Sequence, residues 1–599
     1  MKPFSLLLAS YFVGFISANA GPVVATPLGA SQGNSVVQAA SGVRVRVDEF
    51  IGTPLAGPVI ATPLGAIQGN AVVHAASGTR VDEFIGIPYA KPPTGDRRFR
   101  PAQAVDAWST TLDATAYGAV CPQWAPPPNN SPNNPPNPPP NPPPNNPLLF
   151  KHRSMSEDCL NLNIWKRAGV TPTDKLPVLF FIHGGGFTSG SGSLYNGTDI
   201  VAEAARANKD VVVVTVNYRL GGLGMLASEA FAKENGAWPS TGGANFLNDQ
   251  IVALKFTRAL VGSFGGDVDR VMVFGESAGA LSTCMLTLVP SAEGLFSSAL
   301  IESGPCTGPW GPALEGHGLA TSAAYMQGLN ATTPAALRAL PWEAFVGDAP
   351  MPEDTPHPIP SVDGFVLPEH PNELFAAGGP VNPSRVVVGS NAFDSLAAKP
   401  FANAAPGHPQ PTTPAQFLAL LMFANLSSSV ATTVMNSYID PPTKFGSVQQ
   451  GWVKLTADVC VICPSAFLST TYGKTGAIGT STPPAVWEYE FAGPGGLSPH
   501  AGELPYVFGP GFAELVCGPH AVENLCPSPF NNTLSRHMMA AWRAYAYGDS
   551  PWLAHSENKA YRFFGDGTEV TGFDMRGAQC AALAKNLSFM QQVSLCIGL

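Results

Sequence analysis

Residues 271–280 read Val-Met-Val-Phe-Gly-Glu-Ser-Ala-Gly-Ala, and no other stretch limits the fold as tightly. An apolar strand runs into Gly-x-Ser-x-Gly and then into a helix start. Such a segment sets Ser277 on a tight strand-to-helix turn, with Gly275 and Gly279 small enough to let the two elements approach. The hydroxyl then points out at the top of a sheet, near the N-terminus of the following helix. The pattern alone is weak, because a chain of 599 residues with 62 glycines produces chance matches. One is Gly29-Ala-Ser31-Gln-Gly33, which follows Pro27 and no strand, so Ser31 lacks the context that gives the motif meaning.

The context around Ser277 is an alternation of apolar runs and helical stretches, the pattern of parallel α/β chains. Candidate strands are Leu176–Ile182, Val211–Val216, Arg270–Phe274, Ala299–Glu302, Arg385–Val388 and Val486–Phe491. Several are continuously apolar, which suits strands buried on both faces. Pro-rich and Ala-rich helical insertions at roughly 311–345 and 405–450 would form a cap around a pocket mouth. With the serine turn, these features point to an α/β-hydrolase fold: a central, mostly parallel sheet flanked by helices, with helical cap insertions.

The chain is 45% hydrophobic and 12% charged, with a formal charge of -10, which argues against nonspecific nucleic-acid binding. Residues 1–20 carry Lys2, an apolar run and Ala18-Asn19-Ala20, the layout of a secretory signal peptide rather than a membrane span. A secreted product with no stable membrane insertion is expected. Ten cysteines then imply disulfides. Asn-x-Ser/Thr sequons at Asn129, Asn196, Asn330, Asn425, Asn531 and Asn586 fit a glycoprotein. The sequence carries no signal for an oligomeric state.

Two segments depart from ordinary globular sequence. Gly21 to Asn34 recurs almost unchanged as Gly57 to Asn70, and the likeness continues to Gly52 and Gly86. Two copies are too few for a solenoid. The first, within residues 21–56, reads as a duplicated segment surplus to the fold, or else as an extension that adds strands to a sheet edge. The catalytic domain is then 57–599. The Pro/Asn-rich stretch 125–148 has no apolar content for a core and reads as a solvated loop insert between Cys121 and Cys159.

A serine hydroxyl is a weak nucleophile that needs a base, an orienting group for that base, and donors for the oxyanion. In this fold the acid and then the histidine follow the serine, each after its own strand. His183-Gly-Gly-Gly186, directly after an apolar strand, can turn backbone N–H groups into a cavity, so Gly185 and Gly186 are expected to donate with Ala278. Asp394 is the carboxylate near the end of the Arg385 strand, with a surface aspartate as the other reading. His500 follows the last core strand, while His520 and His537 lie farther from any strand end. Cys460-Val-Ile-Cys463 has zinc-ligand spacing but no second pair to complete four ligands. No phosphate loop or dinucleotide fingerprint appears, so neither metal nor cofactor is expected.

These residues resemble the type-B carboxylesterase/lipase family, which includes cholinesterases and fungal lipases. The likeness runs from about Val59 to the C-terminus through motifs in order: Phe84 to Pro93 with Arg98-Phe99, Ser156 to Ile164, Asn217-Tyr-Arg-Leu-Gly221, Phe264-Gly-Gly-Asp267, Phe274 to Gly279, Pro360 to Gly364, and His500 to Gly509. The resemblance implies a serine hydrolase acting on a small-molecule carboxylic ester through Ser277, Asp394 and His500, with a lipase or a non-catalytic adhesion module as alternatives. It also implies Cys121–Cys159 and Cys463–Cys580 bridges, with Cys517–Cys526 as a local pair; Cys284 with Cys306 and Cys460 with Cys596 remain by elimination. Two departures stand out. The family's acid loop reads Asp-Glu-Gly with a catalytic Glu, where this chain has Phe393-Asp394-Ser395. Its Gly-Asn-x-Gly-Leu is altered to Gly243-Ala-Asn-Phe-Leu247.

Overall fold

The computed structural model describes residues 57–123, 154–236, 239–346, 356–378, 381–395, 411–439, 446–476, 483–494, 498–517 and 530–550, together with backbone elements at 35–38, 44–46, 560–563, 569–573 and 577–586. The strands in chain order are β1 (Ser35–Gln38), β2 (Arg44–Arg46), β3 (Val59–Thr62), β4 (Gly65–Gln68), β5 (Asn70–His74), β6 (Arg80–Pro88), β7 (Leu112–Asp113) and β8 (Asn161–Arg167). Then come β9 (Leu176–Ile182), β10 (Val212–Val216), β11 (Gly266–Glu276), β12 (Ser298–Glu302), β13 (Arg385–Asn391), β14 (Ala485–Phe491), β15 (Ala560–Phe563) and β16 (Glu569–Phe573).

One sheet runs β16-β15-β14-β13-β12-β11-β9-β10-β8-β6-β5-β1-β2. From β10 through β15 neighbouring strands are parallel, while β8 joins β10 and β6 antiparallel. This is the α/β-hydrolase organisation. All six strands expected from apolar runs are present, and β11 extends farther at both ends than its apolar run. The sequence reading passed over β6 and β8, whose polar residues interrupt the run.

The side-chain period of two sorts each central strand between two cores. In β9, Val178, Phe180 and Ile182 enter one cluster, and Leu179 and Phe181 the other. Helices cover both: α1 (Thr198–Arg206), α2 (Asn245–Leu260), α3 (Ala278–Leu286) and, near the C-terminus, Asn532–Ala546. The insertions contribute α4 (Pro414–Phe423), α5 (Ser428–Ile439), α6 (Val448–Ala457) and α7 (Cys463–Tyr472), which build a third cluster around Phe417, Trp452 and Leu455. A separate cluster around Tyr325, Leu337 and Phe345 holds the 315–345 insertion. Among the described residues, 448–472 is the helix long and apolar enough to cross a membrane, and 89% of that window is buried inside the protein.

Two strands of the first repeat copy continue the sheet. β1 lies parallel to β5 and pairs Ser35 with Ala71 through Gln38 with His74, so corresponding positions of the two copies sit side by side. β2 closes that edge antiparallel to β1.

Disulfides join Cys121 to Cys159, Cys284 to Cys306 and Cys463 to Cys580. The first closes a separation of 38 residues. In the chain-entropy account such a loop is worth about 4 kcal/mol against the unfolded state. Cys460 is also disulfide-bonded, so neither Cys460 nor Cys463 is a zinc-ligating thiolate. Residues 125–148, Ser31, Trp124, His520, Cys526 and Cys596 lie outside the described residues.

Sequence motifs away from the serine turn out to be buried ion pairs that lock loops. Arg98 binds Glu157 through two N–H···O bonds, and Arg219 binds Asp249 the same way, both pairs almost wholly buried. Truncating one partner of such a pair strands a charge in the interior. Arg219→Met should therefore lower unfolding free energy by about 3–5 kcal/mol. Arg206→Met, which breaks the exposed Arg206–Glu203 pair, should stay within about 1 kcal/mol. Denaturant titration of the two variants checks the contrast; equal small losses would mean the Arg219 pair is not structural.

Candidate active site

The site lies at the carboxyl ends of β9, β11, β13 and β14, where the strand order reverses around β9. Ser277 joins β11 to α3 with φ 58° and ψ -123°. That is left-handed territory, uncommon for a residue with a Cβ and costing on the order of 1–3 kcal/mol. The turn survives because its neighbours are glycines. A Cβ on Gly279 would come within 1.9 Å of the Ile182 carbonyl, and one on Gly275 within 2.6 Å of the same oxygen. The Ser277 N–H donates to the Glu302 carbonyl at 2.9 Å, which ties the turn to β12. Residues 271–276 and 278–286 are buried, and Ser277 alone between them is partly exposed.

Nine non-glycine residues with positive φ occur among the described residues, and three of them are asparagines, which tolerate that conformation. Four others, Phe187, Ser277, Ser303 and Ala501, adjoin this site. Strain gathers where the surrounding structure over-determines it.

The loop after β9 passes directly over the serine. A Cβ on Gly184 would lie 3.0 Å from Ser277 Cβ. Gly185 and Gly186 adopt φ 108° and 61° with exposed backbone, and Ala278 opens α3, so its N–H is one of the donors a helix leaves without an internal partner. His183 anchors the loop from below. Its ring stacks on Tyr218 at 4.4 Å, and the Tyr218 hydroxyl donates to the His183 carbonyl at 2.8 Å. Burial drives the His183 pKa down to about 4, so the ring is neutral. The altered stretch 243–247 also contributes here: Phe246 is fully buried and packs edge-on against Phe187 of the glycine loop, at 4.8 Å.

Asp394 and His500 meet as their strand ends place them. Phe393 and Pro499 form a β-bridge, with Phe393 N–H donating to the Ser498 carbonyl at 2.9 Å. Asp394 Oδ1 lies 2.6 Å from His500 Nδ1, and its Oδ2 accepts from Asn391 N–H at 2.7 Å. Asp394 is fully buried, which excludes the surface-aspartate reading. His537 is exposed on the helix Asn532–Ala546. Ser277 Oγ takes no hydrogen-bond partner among the described residues; the other imidazole nitrogen, Nε2, lies 3.2 Å from Glu276 Oε1.

Glu276 was hidden from sequence reasoning as the variable position of Gly-x-Ser-x-Gly. It belongs to a buried carboxylate group with Glu302 and Glu503. Trp542 Nε1 donates to Glu302 Oε1 at 2.5 Å, and Asn391 Nδ2 donates to Glu503 Oε2 at 2.5 Å. Burial, opposed by His500 and aided by Glu503 and Asp394, pushes the pKa of Glu276 up to about 8; burial and then Asp394 push Glu503 up to about 7; burial and then Glu503 push Glu302 well above the carboxylate range. For His500, burial works downward, but Glu276, Asp394 and Glu503 outweigh it and raise the pKa to about 9. Glu276 cannot be fully protonated near neutrality and also act at full strength on His500. Glu276 Oε1 and His500 Nε2 lie 3.2 Å apart, so each biases the protonation of the other, while Asp394 contacts the opposite nitrogen of the ring.

A second hydrogen-bonded chain, Asp199–His74–Ser77, sits at the surface, with contacts of 3.0 and 2.8 Å. It lacks a strained strand-to-helix turn and a facing glycine loop. It fastens the β5–β6 hairpin to α1, which is a structural task.

A profile of the carboxylesterase family matches residues 22–578. Para-nitrobenzyl esterase of Bacillus subtilis is 40% identical over 252 residues, 42% of this chain and 45% of that protein. Cocaine esterase of Homo sapiens is 36% identical over 330 residues, 53% of each chain. The chain thus spans about half the length of these two relatives. Carboxylesterase 1E of Mus musculus is 29% identical over 529 residues, 82% of this chain and 86% of that protein.

The Glu276–His500 contact has a testable consequence. Glu276 raises His500, so Glu276→Gln should move the imidazole titration to lower pH, by about one pH unit for loss of an adjacent charge. Nitrogen NMR of labelled histidine reads this directly. An unmoved or upward midpoint would show that Glu276 carries no charge when His500 titrates.

Proposed function

The chain belongs to the carboxylesterase family, and on that footing we propose that it hydrolyses carboxylic esters of small molecules through an acyl-enzyme on Ser277. The observation that carries the reading is the meeting of four strand ends: a serine on a strained turn, a glycine loop over it, and a buried Asp394–His500 pair beside it.

In this reading the Ser277 hydroxyl turns onto His500 Nε2 as substrate enters. Its oxygen attacks the acyl carbon while Nε2 takes the proton. Asp394 holds the proton on Nδ1, which fixes the tautomer and steadies the imidazolium. The N–H groups of Gly185, Gly186 and Ala278 take the charge that develops on the carbonyl oxygen. His500 then protonates the departing alkoxide, and water repeats the sequence to release the acid. Glu276, against Nε2, favours the imidazolium in both transition states.

The domain reading follows: 57–599 as one catalytic unit with cap insertions, preceded by the repeat copy at 21–56 and a signal segment at 1–20. Disulfides support an oxidising compartment, and with the signal segment they favour secretion. Asn330 and Asn425 are exposed at helix ends and suit glycan attachment, whereas Asn196 is half-buried.

Ser277→Ala should abolish turnover of a nitrophenyl acetate. Asp394→Asn should keep the fold and lower kcat by about 10³ to 10⁴, because the wrong histidine tautomer faces the serine. Steady-state kinetics with a circular-dichroism control measures both; near-normal turnover in either variant would remove that residue from the reaction.

A further inference from the structure

The Asp394–His500 contact depends on where the backbone at 391–395 sits, and that backbone is gripped from the cap side by groups no step of the reaction uses. An aspartate has one methylene between Cα and carboxylate, so its reach is short. Small outward movement of the loop breaks a 2.6 Å contact.

Lys454, on α6, is fully buried. Its ammonium donates to the Ala392 carbonyl at 2.5 Å, lies 5.2 Å from the centre of the Phe393 ring, and pairs with Asp458 at 3.0 Å. Asp458, equally buried, accepts from the Tyr438 hydroxyl of α5 at 2.9 Å. Two residues on from Lys454, the Thr456 hydroxyl lies 2.6 Å from Ser395 Oγ. The helix leaves α geometry here, with a π-helical turn over Asp458–Ile462. Such turns inside helices occur frequently at functional sites. A buried ammonium costs several kcal/mol in desolvation and persists only when well paired. Core packing alone would be served better by an apolar side chain. The lysine instead turns one donor onto the acid loop and is balanced by Asp458 of its own helix.

We propose that Lys454 is a positioning residue for the proposed reaction: clamped by Asp458 and Tyr438, it pulls Ala392 toward α6 and so holds Asp394 within reach of His500. Thr456 holds the far side of the loop through Ser395. The cap domain and the catalytic acid are therefore one mechanical unit. This inference rests on the reading of Asp394 and His500 as base and orienting acid.

The test neutralises the clamp without stranding a charge. Lys454→Met/Asp458→Asn should lower kcat by about 10- to 100-fold with KM within about threefold, the loss expected when a reacting pair is misplaced. The acid limb of the pH profile should also move to lower pH. His500 faces Asp394, Glu276 and Glu503, and loss of the Asp394 contact removes an upward influence while the other two remain. Adding Asp394→Glu to the loosened loop should recover about fivefold or more in kcat, because the longer side chain spans the gap, while Asp394→Glu alone should reduce kcat in the tight loop. Ser395→Ala, a milder release, should lower kcat by about threefold with the same direction of limb shift and serves if the double variant does not fold. An unchanged kcat and limb would overturn the proposal, as would a loss of kcat with an unmoved limb and no gain from glutamate. If Asp394→Asn itself kept full activity, the catalytic reading would fall first, and the Lys454 proposal with it.

Discussion

The close approach of α3 to the end of β9 sets the geometry of everything else. Gly279 leaves room for no more than a hydrogen against the Ile182 carbonyl, and that contact forces the chain at Ser277 into positive φ. The strain is stored in a place the structure cannot relax, because the Ser277 N–H is tied to Glu302 and α3 is buried along its whole length. The same closeness brings the loop at Gly184 over the serine and puts the first N–H of α3 beside it. A serine, a glycine loop and a helix start thus converge because two backbones touch.

Electrostatics then decide what the convergence can do. Glu276, Asp394 and Glu503 are buried around a single imidazole, with Glu302 buried beside Glu503 and Glu276. Four full negative charges in that volume would not be tolerated, so burial pushes Glu302, Glu276 and Glu503 toward their protonated forms. Asp394 differs from the rest: Asn391 N–H and His500 Nδ1 both serve it. It is the carboxylate held in direct contact with the ring nitrogen that faces away from Glu276.

Much of this was legible in the sequence. Continuous apolar runs marked β9 to β14 because strands buried on both faces tolerate little else, and the serine turn announced itself through glycines that close packing demands. The motifs at Arg98, Glu157, Tyr218 and Arg219 were visible as resemblance, but their reason, buried ion pairs and a buttress under His183, needed three dimensions. Strands β6 and β8 were missed because Asp82, Glu83, Asn161, Asn163 and Lys166 break the apolar pattern; all five are buried, with Asp82 paired to Lys166 and Asn70 donating to Glu83. Glu276 and Lys454 carried no signal, since one fills a variable motif position and the other looks like an ordinary helix lysine. The altered stretch 243–247 has its explanation in Phe246 packing on Phe187.

The strained turn and the glycine loop over it single out the Ser277 hydroxyl for reactivity in the proposed reaction. A fluorophosphonate probe on the folded protein, followed by peptide mapping, tests it most directly. A single label, on Ser277 and lost on unfolding, is the expected result. A label on Ser77 or Ser31, or none on folded protein, would contradict it.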